Sequence, residues 1–289
     1  MPRFLAVGHV TWDRREGGDV LGGSASYAAL AAHRLGWTAA VLTSASPLDF
    51  DPARDLPGVT AFVKPAPATT RFGNSYDEDG ARQQVLFARA DDLELVPLPD
   101  DWRDPEVLLL GPVAGELKGS LVPAFAAGCV GAIAQGWLRD FDRDGRVSAR
   151  DWAAPARDLA GVHVLFLSEE DLPGGAARAG EFLAQVPIVA CTRGWQGLTL
   201  FTRAGAQEVP AYPRPEVDPT GAGDVFAAAF LVRYHEAGDP LEAAVFATCA
   251  ASCVVEGVGT STLGGRDEVL RRLAARERLL EEGEGEWSE

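Results

Sequence analysis

Short apolar runs alternate with alanine-rich amphipathic segments along most of the chain. FLAVGHV (4–10) is followed by SYAALAAHRLG (26–36), then AAVLTSA (39–45), VLLLGPV (107–113), GAIAQGW (131–137), HVLFLS (163–168) and PIVACTRG (187–194), with two long helical stretches after Gly223. Runs that are apolar on both faces, separated by helical segments, predict an α/β fold: a doubly wound, mostly parallel sheet with helices on both faces. At 289 residues this pattern fits one domain over 1–289.

Residues 59–90 break the rhythm. VTAFVKP, TTRFGNSY and ARQQVLF are three strand-like segments with no helix between them, and Asp79-Gly80 between the last two is a hairpin signal. A small antiparallel β sheet over 59–90, with part of 14–22, is therefore expected as an insertion. Beside a ligand crevice it would act as a lid, and otherwise it would cover a sheet edge. The chain ends in an arginine-rich helix and an acidic stretch, 281–289, expected to fray.

Composition narrows the function classes. A hydrophobic share of 47% suits a soluble globular core, and a net charge of −16 without a basic block argues against nucleic acid as a partner. Cys129, Cys191, Cys249 and Cys253 match no zinc spacing and read as reduced, buried thiols. MPRFLAVGHV enters a strand without a signal peptide, and no uncharged apolar stretch reaches membrane-spanning length, so a cytoplasmic location is expected.

Most of the chemistry lies in VDPTGAGDVFAAAFLVRYHEAG (217–238). Pro219 and two glycines force a tight turn at the start of a helix, where backbone N–H groups and the helix dipole favour an anion. Asp224 places a carboxylate beside that cradle, a pairing suited to phosphoryl transfer to a hydroxyl. On its own, GxGD reads equally as a capping aspartate after a glycine turn.

The full string DPTGAGD, with the small-residue helix behind it, resembles the C-terminal signature of the ribokinase-like (PfkB) carbohydrate kinase family. VGHVTWD followed by LGGSASYAALAAHRLGW resembles the same family's substrate-binding strand, glycine pair and helix. The resemblance covers nearly the whole chain in the family's order. It implies an ATP-dependent kinase acting on a small sugar or polyol, with a nucleoside or another sugar (ribose, fructose, a ketodeoxy sugar acid) as the alternative acceptor. Asp224 would be the general base, with Gly221, Ala222 and Gly223 as anion-hole donors, while Asp13, Gly22 and Gly23 would meet the acceptor. CTRGWQG (191–197) resembles the strand and turn that contact the nucleotide, implicating Thr192, Gly194 and Gly197. EGVGTST (256–262) resembles the loop near the adenine, implicating Gly257 and Gly259; with Asp218 it can hold a monovalent cation such as K⁺ in many members. LFLSEEDL resembles an element that organises Mg²⁺, with Ser168 in place of Asn and Asp171 in place of Glu.

Tyr27 stands where ribokinases usually carry Asn, which disfavours ribose. The spacing of VGHVTWD to LGGSASY, the AQGWLRDFD run and CVVEGVGTSTL are closer to the inositol kinase branch. That reading adds Gln135 and Arg139 beside the acceptor, with surface or capping roles as the plainer alternative. On the lid, Asn74 and Gln84 are polar candidates for hydroxyl contacts. The implied partners are a small-molecule acceptor and ATP, with a monomer or homodimer expected. Two other functions stay open: a nucleotide-dependent dehydratase of hydrated nicotinamide cofactors, and a nucleotide-binding protein without catalysis.

Overall fold

The computed structural model describes residues 1–76, 82–93, 98–117, 121–153 and 158–283. Its strands are β1 (Arg3–Val7), β2 (Thr11–Arg15), β3 (Gly18–Gly22), β4 (Thr38–Ala45), β5 (Thr60–Pro65), β6 (Thr70–Tyr76), β7 (Arg82–Ala88), β8 (Val107–Leu110), β9 (Cys129–Ile133), β10 (Arg139–Phe141), β11 (Val147–Ala149), β12 (Val164–Ser168), β13 (Ile188–Thr192), β14 (Leu198–Thr202) and β15 (Gly205–Val209). The helices are α1 (Ser24–Arg34), α2 (Pro52–Asp55), α3 (Gly175–Ala179), α4 (Ala222–Ala237), α5 (Pro240–Val254) and α6 (Arg266–Gly283).

Nine strands form the large sheet in the order β15-β14-β13-β12-β9-β8-β1-β4-β5. From β5 to β13 every pairing is parallel, and β14 and β15 close one edge antiparallel. The chain builds outward from β1 in one direction through β4 and β5, then returns to build through β8, β9, β12 and β13. That reversal puts a topological switch point between β1 and β8, where open α/β sheets bind ligands at the carboxyl ends of their strands. The two strand ends are close there: a Cβ added to Gly8 would lie 2.1 Å from the Gly111 carbonyl.

Alternation within each strand sends side chains to two cores. Phe4, Ala6, Val41 and Leu109 pack with α1, α4 and α5 through Ala28, Phe226, Phe230 and Phe246. Leu5, Val7, Leu42 and Leu108 face the other side, beneath Trp102, Trp137, Trp152 and Phe182. Helices on both faces were expected, and the long ones lie on the first face. The second is covered by α3, short helical turns and tryptophan-bearing loops, with Trp137 stacked on Trp152 at 5.0 Å. These loops are rich in Pro, Gly and Asp, which oppose longer helices.

Helix α4 is apolar nearly all round because it lies between α1 and α5. It ends at Gly238, which has a left-handed φ of 72°. Asp239 then caps α5, accepting hydrogen bonds from Leu241 and Glu242 amides at 2.8 and 3.0 Å, a cap worth about 1 kcal/mol. Among the described residues no helix is long and apolar enough to cross a membrane.

The small sheet has the order β3-β2-β6-β7. It comprises two antiparallel hairpin pairs joined by a parallel β2–β6 contact. One expected member is placed elsewhere: Thr60–Pro65 runs parallel to β4 as the edge of the large sheet. Its apolar residues explain this, since Phe62 packs on Trp102 at 6.0 Å and Ala61 and Val63 join the opposite core. The inserted segment thus begins at Thr70 and takes in all of β2 and β3. The Asp79-Gly80 turn and residues 284–289 lie outside the described residues.

Candidate active site

Gly221 starts α4 with φ 83°, a conformation that disfavours any side chain, and an added Cβ would fall 2.3 Å from the Tyr27 ring. The preceding turn is pinned by Asp218, whose Oδ1 accepts from the Thr220 amide at 3.1 Å and hydroxyl at 2.6 Å. The Ala222 amide donates back to the Pro219 carbonyl at 3.1 Å, so this expected cradle donor is committed to the turn. Among the described residues the amides of Gly221, Gly223 and Asp224 make no hydrogen bond, and all three belong to the first turn of a 16-residue helix. That is the donor pattern that receives phosphate at a helix N-terminus.

Asp224 is the site's most perturbed carboxylate, pushed up to about 6. Burial is the largest cause and outweighs the neighbouring Ser24 hydroxyl and the Arg139 guanidinium, both of which favour the charged form; Asp13 and Asp171 add to the rise. Asp13 is also raised, again mainly by burial, although Thr11 and Arg15 oppose it. Burial lifts both carboxylates, and Asp224, at about 6, lies in the range useful to a general base. The rate with saturating donor should therefore fall below pH about 6, approaching tenfold per unit, and level off above it. A kcat/KM profile for the acceptor checks this; a flat profile from pH 5 to 8 would remove Asp224 from the proton transfer.

On the acceptor side, Thr11 Oγ1 donates to Asp13 Oδ1 at 3.2 Å. Gly22 stands opposite: a Cβ there would lie 2.5 Å from Asp13 Oδ2, so only glycine leaves this carboxylate its place. Gly23, with φ 91°, begins α1 and brings Ser24 and Tyr27 toward the site. Trp12 Nε1, Ser24 Oγ and Tyr27 Oη are buried without a hydrogen-bond partner among the described residues. Burial, followed by Asp13, Asp224 and Asp218, raises the Tyr27 pKa and keeps its hydroxyl protonated as a donor. Buried polar groups left unpaired are costly, so an arrangement of this kind points to a polar ligand.

Gln135 lies in the helical turn after β9, and Arg139 begins β10. Both meet Asp171: Gln135 Nε2 donates to it at 3.4 Å, and Arg139 approaches at 3.8 Å. Arg139 also feels Asp224 and Asp13, so it stands among three carboxylates. Ser168 ends β12 and its hydroxyl accepts from the Glu170 amide at 3.3 Å, which occupies it in the local turn. The described residues contain no group of three or more His, Cys, Asp or Glu able to hold a metal ion. Asp218 Oδ2 faces the Arg15 guanidinium at 2.7 Å, and its carboxyl is held below the usual range by Thr220 and Arg15 despite burial.

The remaining expected residues lie on neighbouring loops. Thr192 ends β13 with its hydroxyl on the Leu167 carbonyl, and Gly194 and Gly197 shape the following turn with φ 56° and 101°. Gly257 and Gly259 follow α5, and a Cβ at Gly259 would lie 2.7 Å from Val20 of β3, so this loop touches the small sheet. Val255 ties it to the anion loop by accepting from the Val217 and Asp218 amides at 2.7 and 3.2 Å. Gln84 pairs with Asn74 across β7 and β6; the Asn74 side chain lies outside the described residues.

Arg15, Thr11 and Ser24 are site residues that motif reading passes over. The signal for the first two was strand alternation, since Thr11, Asp13 and Arg15 share one face of β2.

Along its length the chain is similar to known kinases. A model described as pfkB family carbohydrate kinase matches residues 141–264. A cytidine kinase of Thermococcus kodakarensis is 27% identical over 276 residues, covering 84% of this chain and 91% of the relative. An inositol 3-kinase of Zea mays is 29% identical over 224 residues, covering 74% and 56%. A nucleoside kinase of Methanocaldococcus jannaschii is 35% identical over 95 residues, and the match spans only 32% of that relative's length. Among solved structures, a pyrophosphate-dependent kinase in the ribokinase family, complexed with a pyrophosphate analogue and myo-inositol, superposes with a TM-score of 0.75 at 22% identity, covering 92% of this chain and 99% of the other. Residues 141–264 thus match a PfkB family carbohydrate kinase domain, and the chain is similar along most of its length to a cytidine kinase and an inositol 3-kinase and shares the fold of a ribokinase-family kinase.

Proposed function

We propose that the chain transfers the terminal phosphoryl group of ATP to a hydroxyl of a small polyol in the cytoplasm, with inositol as the favoured acceptor. The observation that carries this reading is Asp224: a carboxylate raised to about 6 beside unpaired helix-N-terminal amides and facing Asp13 and Arg139. Asp224 takes the proton of the attacking hydroxyl. The Gly221, Gly223 and Asp224 amides receive the charge that develops on the transferred group, which is the largest catalytic contribution in such sites. Asp13 orients the acceptor through its hydroxyls, while Ser24 and Tyr27 offer further polar atoms. Gln135 and Arg139 frame the pocket from the opposite side.

Thr192, Gly194, Gly197, Gly257 and Gly259 are proposed for the nucleotide side. Mg²⁺, when bound with the donor, would supply charge neutralisation of its phosphates. Asp171 is the carboxylate best placed toward it, with Ser168 nearby. Arg139 and Gln135 already engage Asp171, so these residues do not form a metal site without the donor. Asp218 is likewise occupied by Thr220 and Arg15, which leaves little of its carboxylate for K⁺.

A nucleoside acceptor is the second reading, favoured by the cytidine kinase relative that spans nearly the full length. Against it, the fully buried Tyr27 ring fills the space beside Gly221, which suits a compact acceptor. Purified protein supplied with ATP or pyrophosphate and, separately, inositols, ribose, fructose, ketodeoxy sugar acids or nucleosides tests the assignment. Acceptor-dependent donor consumption on an inositol is the expected result. Consumption only on a nucleoside would move the assignment to the second reading, and ADP release without any phosphorylated acceptor would count against a kinase.

A further inference from the structure

Arg15 joins the small sheet to the anion loop across 205 residues of sequence, donating to Thr220 Oγ1 at 3.2 Å while its guanidinium faces Asp218 at 2.7 Å. Thr220 is the residue immediately before Gly221, so the guanidinium sits at the mouth of the amide cradle. Strand alternation places Arg15 on the same face of β2 as Asp13, whereas Arg14 turns outward over the Phe87 ring at 4.7 Å.

The charge of the site gives this position its meaning. Four carboxylates, Asp13, Asp171, Asp218 and Asp224, surround a place that must accept a polyanionic donor. Two guanidiniums oppose them. Arg139 is the more deeply enclosed, with its side chain 14% exposed and turned to Asp171. Arg15 is 32% exposed while its partner Asp218 is 9% exposed, so the pair is open to water on the guanidinium side, where a second anion can approach. A phosphate offers more charge and two oxygens in the geometry of the guanidinium fork.

We propose, resting on the phosphoryl-transfer function above, that Arg15 is a ligand of the donor's terminal phosphate. It exchanges Asp218 for the phosphate as the donor enters, joining the Gly221, Gly223 and Asp224 amides around the group to be transferred. Because β2 carries both Asp13 and Arg15, one strand then holds the acceptor and the donor at once. The chemistry fits a nucleoside triphosphate or inorganic pyrophosphate, whose terminal phosphoryl groups are alike.

Titration calorimetry with a non-hydrolysable ATP analogue and with methylenediphosphonate, on wild type, Arg15→Gln, Arg15→Lys and Asp218→Asn, tests this. Asparagine at 218 still accepts from Thr220 but removes the charge that holds Arg15. Arg15→Gln should weaken whichever analogue the wild type binds by at least about tenfold, with Arg15→Lys intermediate. Asp218→Asn, which frees Arg15 from its pair, should lose clearly less analogue affinity than Arg15→Gln does. Unchanged binding by Arg15→Gln, or an equal loss in Asp218→Asn, makes Arg15 a clamp on the loop and overturns the proposal while leaving the kinase function standing. If Arg15→Gln does not fold, Arg15→Lys carries the same comparison. A wild type that binds neither analogue overturns the function and this role together.

Discussion

Asp224→Asn is expected to lower kcat by about 10²–10⁴-fold, the range that a positioned general base contributes, while the protein stays folded and still binds its donor. The same substitution should stabilise the fold at neutral pH. Folded Asp224 holds its proton up to pH about 6, above the ordinary carboxylate range, so the protonated form is favoured by folding. That contribution is complete below pH about 4 and is lost as pH rises through about 6, a loss on the order of 1–3 kcal/mol. Asparagine removes it, so the variant's Tm should exceed that of wild type at pH 8 and converge with it near pH 4. A stability gain paired with a collapse in turnover is the signature of a strained functional group. Thermal melts at both pH values alongside initial rates check it; near-normal turnover in Asp224→Asn would end its assignment as the base.

Gly221→Ala should be the most damaging single change outside the reacting carboxylate. The new methyl would meet the Tyr27 ring at 2.3 Å, in a backbone conformation with φ 83° that L-residues avoid. The left-handed backbone costs roughly 1–2 kcal/mol and overpacking about 1–3 more. For a chain of this size a fall in Tm on the order of 5–10 °C follows, together with at least about tenfold lower kcat as the first turn of α4 shifts. In a double-mutant cycle, Tyr27→Ala and Gly221→Ala together should cost less than the sum of their separate losses, because removing the ring removes the collision. Full stability in the single variant would show that the loop relaxes and that the Tyr27 ring does not require glycine at 221.

Much of the site was legible because its residues meet unusual local demands. Gly221 and Gly23 take positive φ, and Gly22 leaves space for Asp13; such needs restrict residue type and so leave a mark in the sequence. The parallel sheet was legible from runs such as VLLLGPV, which are apolar on both faces. What could not be read depends on distant partners. Thr60–Pro65 looks like any exposed strand until β4 and Trp102 are present to receive it. Arg15 is one of many arginines until the β2–β6 pairing and the anion loop bring it to Thr220. The Ala222 amide was expected in the cradle because spacing alone does not reveal which N–H the turn itself uses.

Phosphorus NMR of the complete reaction follows donor and product together, with donor, myo-inositol and Mg²⁺ supplied to wild type and to Asp224→Asn in parallel. A phosphomonoester resonance should grow in step with donor consumed by wild type and be nearly absent with Asp224→Asn. Donor consumed to free phosphate alone, or the same ester formed at the wild-type rate by Asp224→Asn, would contradict phosphoryl transfer with Asp224 as its base.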